Sequence, residues 1–219
     1  AHMDLMFESG LAFLIIVFKP LDYTFTGLLK SKKAKDIWVV MRQGIREVLN
    51  RGFMINIAYF DGEKAIGSED LQHLVWLTFY FELDIKGQGQ AVPVVEAKIR
   101  RVKEKMRAVV NTLPYKIDLK LLSCLTKYCG LRVNGELSAK CTDGLTPRER
   151  LYGRRNDKKW IRHGFGDYVQ VHDEYTSNSM KGRTQGALAL YPTGNMSGTW
   201  KYLNLSTWKE VRRNGATPL

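Results

Sequence analysis

The stretch "DLMFESGLAFLIIVF", residues 4–18, decides the fold of the first part of this chain. Two apolar runs flank Glu8-Ser9-Gly10, a turn signal, so the stretch predicts an antiparallel hairpin. The second run, Leu11 to Phe18, is far too short to span a bilayer, and we interpret it as a buried strand. Ala1-His2-Met3 resembles a cloning scar, so we leave these residues out of the fold prediction.

The segments after this hairpin alternate between strand and helix. Helical spacing and strict alternation of apolar residues distinguish the two kinds of segment. They predict, in order, a strand at 23–29, a helix at 34–50, a strand at 54–60, a helix at 69–81, a strand at 82–85, a helix at 92–110 and a helix at 118–132. Three strands followed by alternating helices and strands predict an α/β domain with a mixed sheet and flanking helices.

Near residue 140 the pattern changes to short strands separated by turns. "TPRE", residues 146–149, is a capping box with Pro at the first helical position, and Gly153 can end this short helix. The runs "GDYVQVH", "GALALY", "GTWKYLNL" and "EVRR" then predict a small β-barrel. The sequence therefore predicts a core at 4–135, a linker with a short helix start at 136–150 and a barrel domain at 151–219.

The charge of the chain points to an anionic partner. It has 34 Lys and Arg against 22 Asp and Glu, a net charge of +12, which favours nucleic acid over a membrane surface. The three cysteines, Cys124, Cys129 and Cys141, contain no Cys-x-x-Cys pair. They predict buried thiols in a reducing compartment, with neither a disulfide framework nor a zinc site.

The predicted helix at 92–110 has two contrasting faces. Glu96 leads a row formed by Arg100, Lys103 and Arg107, whose spacing returns to one side of a helix. The opposite side is an apolar stripe for a core, made of Val95, Ile99, Val102, Met106 and Val109. Two interpretations stay open for the polar row. It is an ordinary solvated face with a Glu96–Arg100 pair, or it serves an anionic ligand.

Three acids stand at positions that a mixed sheet could bring together. Asp4 lies in the first strand, Asp61 follows the strand at 54–60, and Glu96 opens a helix. Carboxylate oxygens are the ligands that Mg²⁺ prefers, and two such ions about 3.5–4 Å apart can promote an in-line displacement at phosphorus. The basic row beside Glu96 would suit the phosphates of such a substrate.

Longer motifs narrow this hypothesis to a family. The acids are 57 and then 35 positions apart. The segments "FDGEKAIG", "GQAVPVVEAKIRRVKEKMR" with "NTLPY", "TPRERLYGR", "GFGDYVQV" and "RTQGALALYPTGNMSGTWKYLNLSTWKEVRR" follow in order. Together they resemble the integrase of copia-type LTR retrotransposon Pol polyproteins, within the retroviral integrase superfamily.

The resemblance implies an RNase H-like catalytic core followed by an SH3-like β-barrel. It implies Asp4, Asp61 and Glu96 as catalytic residues and ligands of Mg²⁺ (or Mn²⁺). Its implied contacts to double-stranded DNA, both element ends and target, are Arg100, Lys103, Arg107, Lys158, Lys159, Arg162, Arg183, Arg212 and Arg213. The implied activity joins DNA 3′-hydroxyl ends to target phosphodiesters. The resemblance also implies a homo-oligomer that acts in the nucleus, with a cytoplasmic particle stage.

The sequence also departs from the family's pattern. No His/Cys set precedes the core, Ala91 stands where the family often has His, and Trp208 stands where a turn Gly is expected. These departures leave open an alternative function, a domesticated or truncated integrase that acts as a non-catalytic DNA-binding or self-association module. An RNase H-like nuclease is a third possibility, but it leaves the barrel unexplained. Trp160, Trp200 and Trp208 are either barrel core or platforms for stacking on bases.

Overall fold

The hairpin at the start of the chain forms as predicted. In the computed structural model, β1 (His2–Glu8) and β2 (Leu11–Phe18) pair antiparallel through a two-residue turn. Ser9 and Gly10 both adopt positive φ, +48° and +81°, as the turns that suit twisted hairpins require. The exclusion of His2 and Met3 from the predicted fold was wrong. His2 and Met3 belong to β1, because their backbones pair with a parallel strand and Met3 is fully buried.

The structure describes residues 1–60, 69–85, 93–137, 142–155, 159–173, 180, 182–195 and 197–218. These residues form two compact units. Unit 1 comprises Ala1–Arg107 and Cys129–Arg155, and unit 2 comprises Ala108–Tyr128 and Asn156–Leu219. No helix among the described residues is long and apolar enough to cross a membrane. The boundaries predicted at 4–135, 136–150 and 151–219 stay a prediction.

A mixed sheet forms the centre of unit 1. Its further strands are β3 (Tyr23–Leu29), β4 (Ile57–Phe60) and β5 (Glu82–Ile85), and the strand order is β3-β2-β1-β4-β5. The first three strands are antiparallel neighbours, whereas β4 pairs parallel with both β1 and β5. The predicted mixed sheet is confirmed.

The five helices that the described residues form lie close to their predicted places. They are α1 (Ala34–Leu49), α2 (Glu69–Phe79), α3 (Pro93–Thr112), α4 (Leu119–Val133) and α5 (Pro147–Tyr152). The capping box of α5 is present, and Gly153 ends this helix with a left-handed φ of +64°. The apolar stripe of α3 is also confirmed, since Val95, Val102 and Met106 are buried.

The two faces of the unit 1 sheet carry different residues. Met3 and Leu5 share a buried cluster with Ile37 and Met41 of α1, so this face packs against α1. Side chains alternate along a strand, so Asp4 points to the other face. There it lies in one row with Ile15 and Thr26 of the neighbouring strands.

The end of α4 covers this second face. A Cβ built on Gly130 would collide with the Thr26 side chain, so the helix approaches β3 closely at this glycine. The Asn134 amide then exchanges two hydrogen bonds of 2.7 Å with the backbone of Thr24, an edge-strand residue. These bonds satisfy edge groups that would otherwise stay unpaired.

The short helix α5 completes the core of unit 1. Leu151 is buried in the same cluster as Met3 and Leu5. The Tyr152 hydroxyl donates to Glu47 of α1 at 3.0 Å, and the Tyr23 hydroxyl donates to the same carboxylate oxygen at 2.7 Å. The "TPRERLYGR" motif therefore packs into the sheet-and-helix core rather than lying on its surface.

Unit 2 is built on an antiparallel sheet. It contains β6 (Tyr168–His172), β7 (Thr184–Pro192), β8 (Trp200–Asn204), β9 (Glu210–Arg213) and β10 (Ala216–Pro218), in the order β10-β6-β7-β8-β9. The short β10 was not predicted. Within the described residues the ladder is open between β9 and β10, so the sheet is not a closed barrel.

Candidate active site

Asp4 lies in the central strand of the unit 1 sheet. β1 has β2 on one side and β4 on the other, and Asp4 is directly opposite Ile15. Its Oδ1 accepts a hydrogen bond of 2.6 Å from the Leu5 amide, which orients the carboxylate. Asp4 therefore presents a half-buried acid on the face covered by the end of α4.

The parallel strand β4 ends beside Asp4. The last residue pair between β1 and β4 is Met3 with Phe60. Asp4 and Asp61 are the residues that follow these two in sequence. Asp61 lies outside the described residues, so its predicted role stays a prediction.

Two lysines fix the direction of α3 relative to β1. The Lys98 ammonium contacts the carboxylate of Asp22 at 2.6 Å, and Asp22 lies in the connection between β2 and β3. Because β2 is antiparallel to β1, this connection lies at the start of β1. Lys103 donates to the Phe7 carbonyl at 2.9 Å, near the end of β1. α3 therefore runs in the same direction as β1.

This direction determines where Glu96 lies. Glu96 is in the first turn of α3, two residues before Lys98, so it stands about 3 Å nearer the start of β1. Asp4 and the end of β4 are at this same end of the sheet. The structure thus brings Glu96, Asp4 and the strand preceding Asp61 to one end of unit 1.

The polar row of α3 is split between internal contacts and solvent. Lys103 contacts Phe7 and lies 3.9 Å from the Glu8 carboxylate, so it is held by β1. Glu96, Arg100 and Arg107 are exposed and have no hydrogen bond or ion pair to any described residue. The surface pair between Glu96 and Arg100, one of the two interpretations, does not form. Both arginines are available to a ligand.

The other basic residues of α3 serve the fold. Arg101 contacts the Glu136 carboxylate at 2.7 Å, and Lys105 forms an ion pair with the other oxygen of the same group. Burial alone would raise the pKa of Glu136, but hydrogen bonds from Lys105 and Arg101 lower it below its ordinary value. Arg100 and Arg107 are therefore distinct from Arg101 and Lys105, which fasten the helix to Glu136.

Lys98 and Asp22 are site-positioning residues that the sequence did not reveal. Asp22 is buried, and Lys19 and Lys98 contact its two carboxylate oxygens at 2.5 and 2.6 Å. Asp22 also adopts a left-handed φ of +59°, which Asp tolerates better than most residues. In the sequence Asp22 is a single acid in a turn, and no pattern indicates its contact with Lys98, 76 positions away.

The donor set at this end of the sheet fits a hard divalent cation. Asp4 and Glu96 offer carboxylate oxygens, the ligands that Mg²⁺ and Mn²⁺ take in proteins, and Glu96 has no described partner that would compete for them. Among the described residues no group of three His, Cys, Asp or Glu side chains forms a metal cluster, and Asp61 is not one of those residues. Asp4 and Glu96 are thus candidates for holding the cation.

Two of the three cysteines are buried thiols, as predicted. Burial raises the pKa of Cys124 to about 11 and that of Cys129 to about 12. Thiols with such pKa values are poor nucleophiles at neutral pH. Cys141 lies outside the described residues.

The basic residues predicted to contact DNA from unit 2 have varied surroundings. Arg162 donates to the Asn214 carbonyl at 3.0 Å, and Arg213 donates to the His172 carbonyl at 2.9 Å. Arg183 and Arg212 are exposed, as is Lys159, whereas Lys158 lies outside the described residues. Arg213 joins the end of β9 to the end of β6, and Arg162 joins the segment before β6 to the turn between β9 and β10.

The three tryptophans of unit 2 divide between core and surface. Trp160 and Trp200 are buried, and the Trp200 indole donates to the Lys159 carbonyl at 2.8 Å. His163 is buried against Trp200 and Tyr202, and burial lowers the pKa of its imidazole. Trp208 is 46% exposed. The core interpretation holds for two tryptophans and not for the third.

Comparison with solved structures finds a protein domain of similar fold. The catalytic core domain of BIV integrase matches with a TM-score of 0.52 and 13% sequence identity, over 69% of this chain and 92% of that one. The chain contains the fold of a retroviral integrase catalytic core. No family model matches the sequence, and no curated protein matches it either. The shared fold agrees with the predicted mixed α/β architecture.

Proposed function

We propose that this chain is an integrase-type polynucleotidyl transferase of the copia-retrotransposon kind, which joins DNA 3′-hydroxyl ends to target phosphodiesters. In this proposal Asp4, Asp61 and Glu96 hold Mg²⁺ or Mn²⁺. The observation that carries it is the direction of α3. Contacts from Lys98 and Lys103 place Glu96 at the end of the sheet where Asp4 lies and where β4 stops.

The chemistry divides between the cation and the chain. A bound divalent cation would polarise the phosphodiester and favour the ionised form of the attacking hydroxyl. Asp4, oriented by the Leu5 amide, and Glu96, exposed in the first turn of α3, supply the negative charge that holds it. Arg100 and Arg107 neutralise the phosphates of the entering DNA backbone.

Unit 2 would add a second contact to DNA. We propose that this open sheet, whose last strand pairs with its first, is an open form of the SH3-like barrel at 151–219. The proposed contacts are Lys158, Lys159, Arg162, Arg183, Arg212 and Arg213. With the family's general behaviour in mind, we also propose a homo-oligomer that acts in the nucleus after a cytoplasmic particle stage.

Binding of Mn²⁺ should depend on Asp61. Isothermal titration calorimetry should detect Mn²⁺ binding to the parent chain and lose it for Asp61→Asn, because one carboxylate ligand becomes a neutral amide. Glu82→Gln is the matched control, since Glu82 is an exposed acid at the opposite end of β5. Equal binding by the Asp61 variant would remove that residue from the site. If the parent itself failed to bind Mn²⁺, the non-catalytic DNA-binding or self-association module would be the better description.

DNA binding should depend on the two exposed arginines of α3. The double variant Arg100→Glu/Arg107→Glu should bind duplex DNA about tenfold or more weakly, and its slope of log affinity against log salt should fall by about 2. Thermal stability should stay within about 0.5 kcal/mol, because neither side chain has a described partner. Fluorescence anisotropy across a salt series measures both quantities.

A matched double variant tests whether position matters. Lys35→Glu/Arg46→Glu makes the same change of charge on α1, which packs on the sheet face opposite to the one that carries Asp4. It should weaken binding much less. If both double variants weaken binding equally, net charge rather than the Glu96 face governs DNA affinity.

A further inference from the structure

The loop between β8 and β9 is held rigidly by its own hydrogen bonds. The Asn204 side chain accepts from the amides of Ser206 and Thr207 at 2.9 and 3.0 Å. The Asn204 backbone is bonded to Lys209 and Trp208 on either side of the turn, at 2.9 and 2.8 Å. Trp208 therefore occupies a fixed backbone position.

That fixed position is unfavourable for a tryptophan. Its φ is +54°, in the left-handed region that a side chain with a Cβ disfavours and that glycine enters freely. The indole compensates only in part by packing, because the residue is 46% exposed and makes no ring or cation–π contact with any described residue. Strain of this kind points to function.

Basic residues lie close to the Trp208 backbone within unit 2. Lys120 of α4 donates to the Trp208 carbonyl at 2.6 Å, and two of its three ammonium hydrogens remain for other acceptors. Lys209 is exposed beside it in the chain, and Arg212 is exposed on β9. The nearby Glu210 is neutralised by an ion pair with Lys201. A flat apolar group joined to an anion would match this surface.

We propose that Trp208 is a stacking platform for an unpaired base of single-stranded nucleic acid, with Lys120 and Lys209 binding the adjoining phosphates. Bases inside a duplex are stacked on each other and cannot cover an indole, whereas every unpaired base has a free π face. The inference extends the proposed DNA binding of unit 2. It uses none of the residues of the proposed metal site, so either proposal can fail without the other.

The test is a variant that removes the ring and relieves the strain. In the full chain, Trp208→Gly should bind labelled oligo(dT) about fivefold or more weakly, the lower end of what loss of one base stack costs. Binding to a labelled duplex should change little. The melting temperature should be equal or higher, because glycine adopts this φ without strain. Trp208→Phe, which keeps an aromatic ring, should retain most of the affinity.

The matched control is Trp76→Ala. Trp76 lies on α2 of unit 1 and is 50% exposed. Its replacement therefore removes a similarly exposed indole from another part of the chain. It should leave oligo(dT) binding unchanged. Trp208→Asn repeats the test if the glycine variant does not fold, since Asn also tolerates a positive φ. Unchanged oligo(dT) affinity in Trp208→Gly and Trp208→Asn overturns the proposal, and so does an equal loss of affinity for oligo(dT) and duplex in these two variants.

Discussion

Glu96→Gln is expected to abolish DNA strand transfer while leaving the fold intact. The change removes one negative charge from a proposed metal ligand, and a bound cation stabilises such a reaction by several kcal/mol. Loss of that stabilisation corresponds to a fall in rate of about a thousandfold or more. Because Glu96 is exposed and has no described partner, unfolding free energy should change by less than about 0.5 kcal/mol.

Strand transfer and its reversal on branched DNA, both with Mn²⁺, measure this effect. Glu104→Gln is the control, because Glu104 is also an exposed acid of α3 without a described partner. The control should keep the parent's activity. A Glu96 variant as active as the parent would contradict the proposed role, and a contaminating nuclease would be recognised by activity that survives Asp61→Asn as well.

Asp22→Ala is expected to cost the largest amount of stability. Asp22 is buried between Lys19 and Lys98, whose ammonium groups lie at 2.5 and 2.6 Å, and Lys98 itself is mostly buried. Removing one partner of a buried ion pair costs about 3–5 kcal/mol, because the remaining charge is left without compensation. Chemical denaturation measures this loss. Lys19→Met should cost much less, since the Lys19 side chain is 45% exposed.

The same carboxylate gives unit 1 a dependence on acid. Burial alone would raise the pKa of Asp22, but hydrogen bonds from Lys19 and Lys98 lower it below its ordinary value. Its stabilising contribution is therefore complete above the unfolded-chain pKa, about 3.9, and is lost as pH falls through the lower folded-state pKa. The Asp22→Asn variant, which keeps the size of the side chain, should show a flatter loss of stability in that window. An equally steep profile would place the acid sensitivity in other carboxylates.

Local patterns in the sequence predicted most of unit 1. The Ser9-Gly10 turn and the alternation of apolar residues defined the hairpin, and the stripe ending at Met106 defined the buried side of α3. The strand predicted at 54–60 is shorter in the structure, because residues 54–56 pair with no strand among the described residues. Pairing with β5 starts at Ile57, and pairing with β1 starts at Tyr59. Propensity alone cannot show where a partner strand is missing.

Contacts between distant segments could not be read from periodicity. Helical spacing placed Lys103 beside Glu96, but its contact with the Phe7 carbonyl depends on how α3 lies on the sheet. The same holds for Lys98 with Asp22. Because both contacts join residues far apart in the chain, the acids could be proposed from the sequence, while the arrangement that supports them needed the structure.

Unit 2 shows a similar division. Short strands and turns were predictable, yet the pairing of Ala216–Pro218 with β6 was not, because three residues ending in Pro carry little strand signal. The family pattern did mark Trp208 as a residue in a glycine position, and its φ of +54° agrees. The sequence could not tell which tryptophans are buried, since Trp160, Trp200 and Trp208 are chemically identical.

The packing of α5 sets the end point of any shortened protein. Leu151 lies in the hydrophobic core with Met3 and Leu5, and Tyr152 binds Glu47. A fragment that stops at residue 135 would leave a hole beside α1 and would remove one of the two hydroxyl donors to the Glu47 carboxylate. Protein engineers who want unit 1 for crystallisation or screening should therefore carry the chain through residue 155, and should place solubility tags beyond that point.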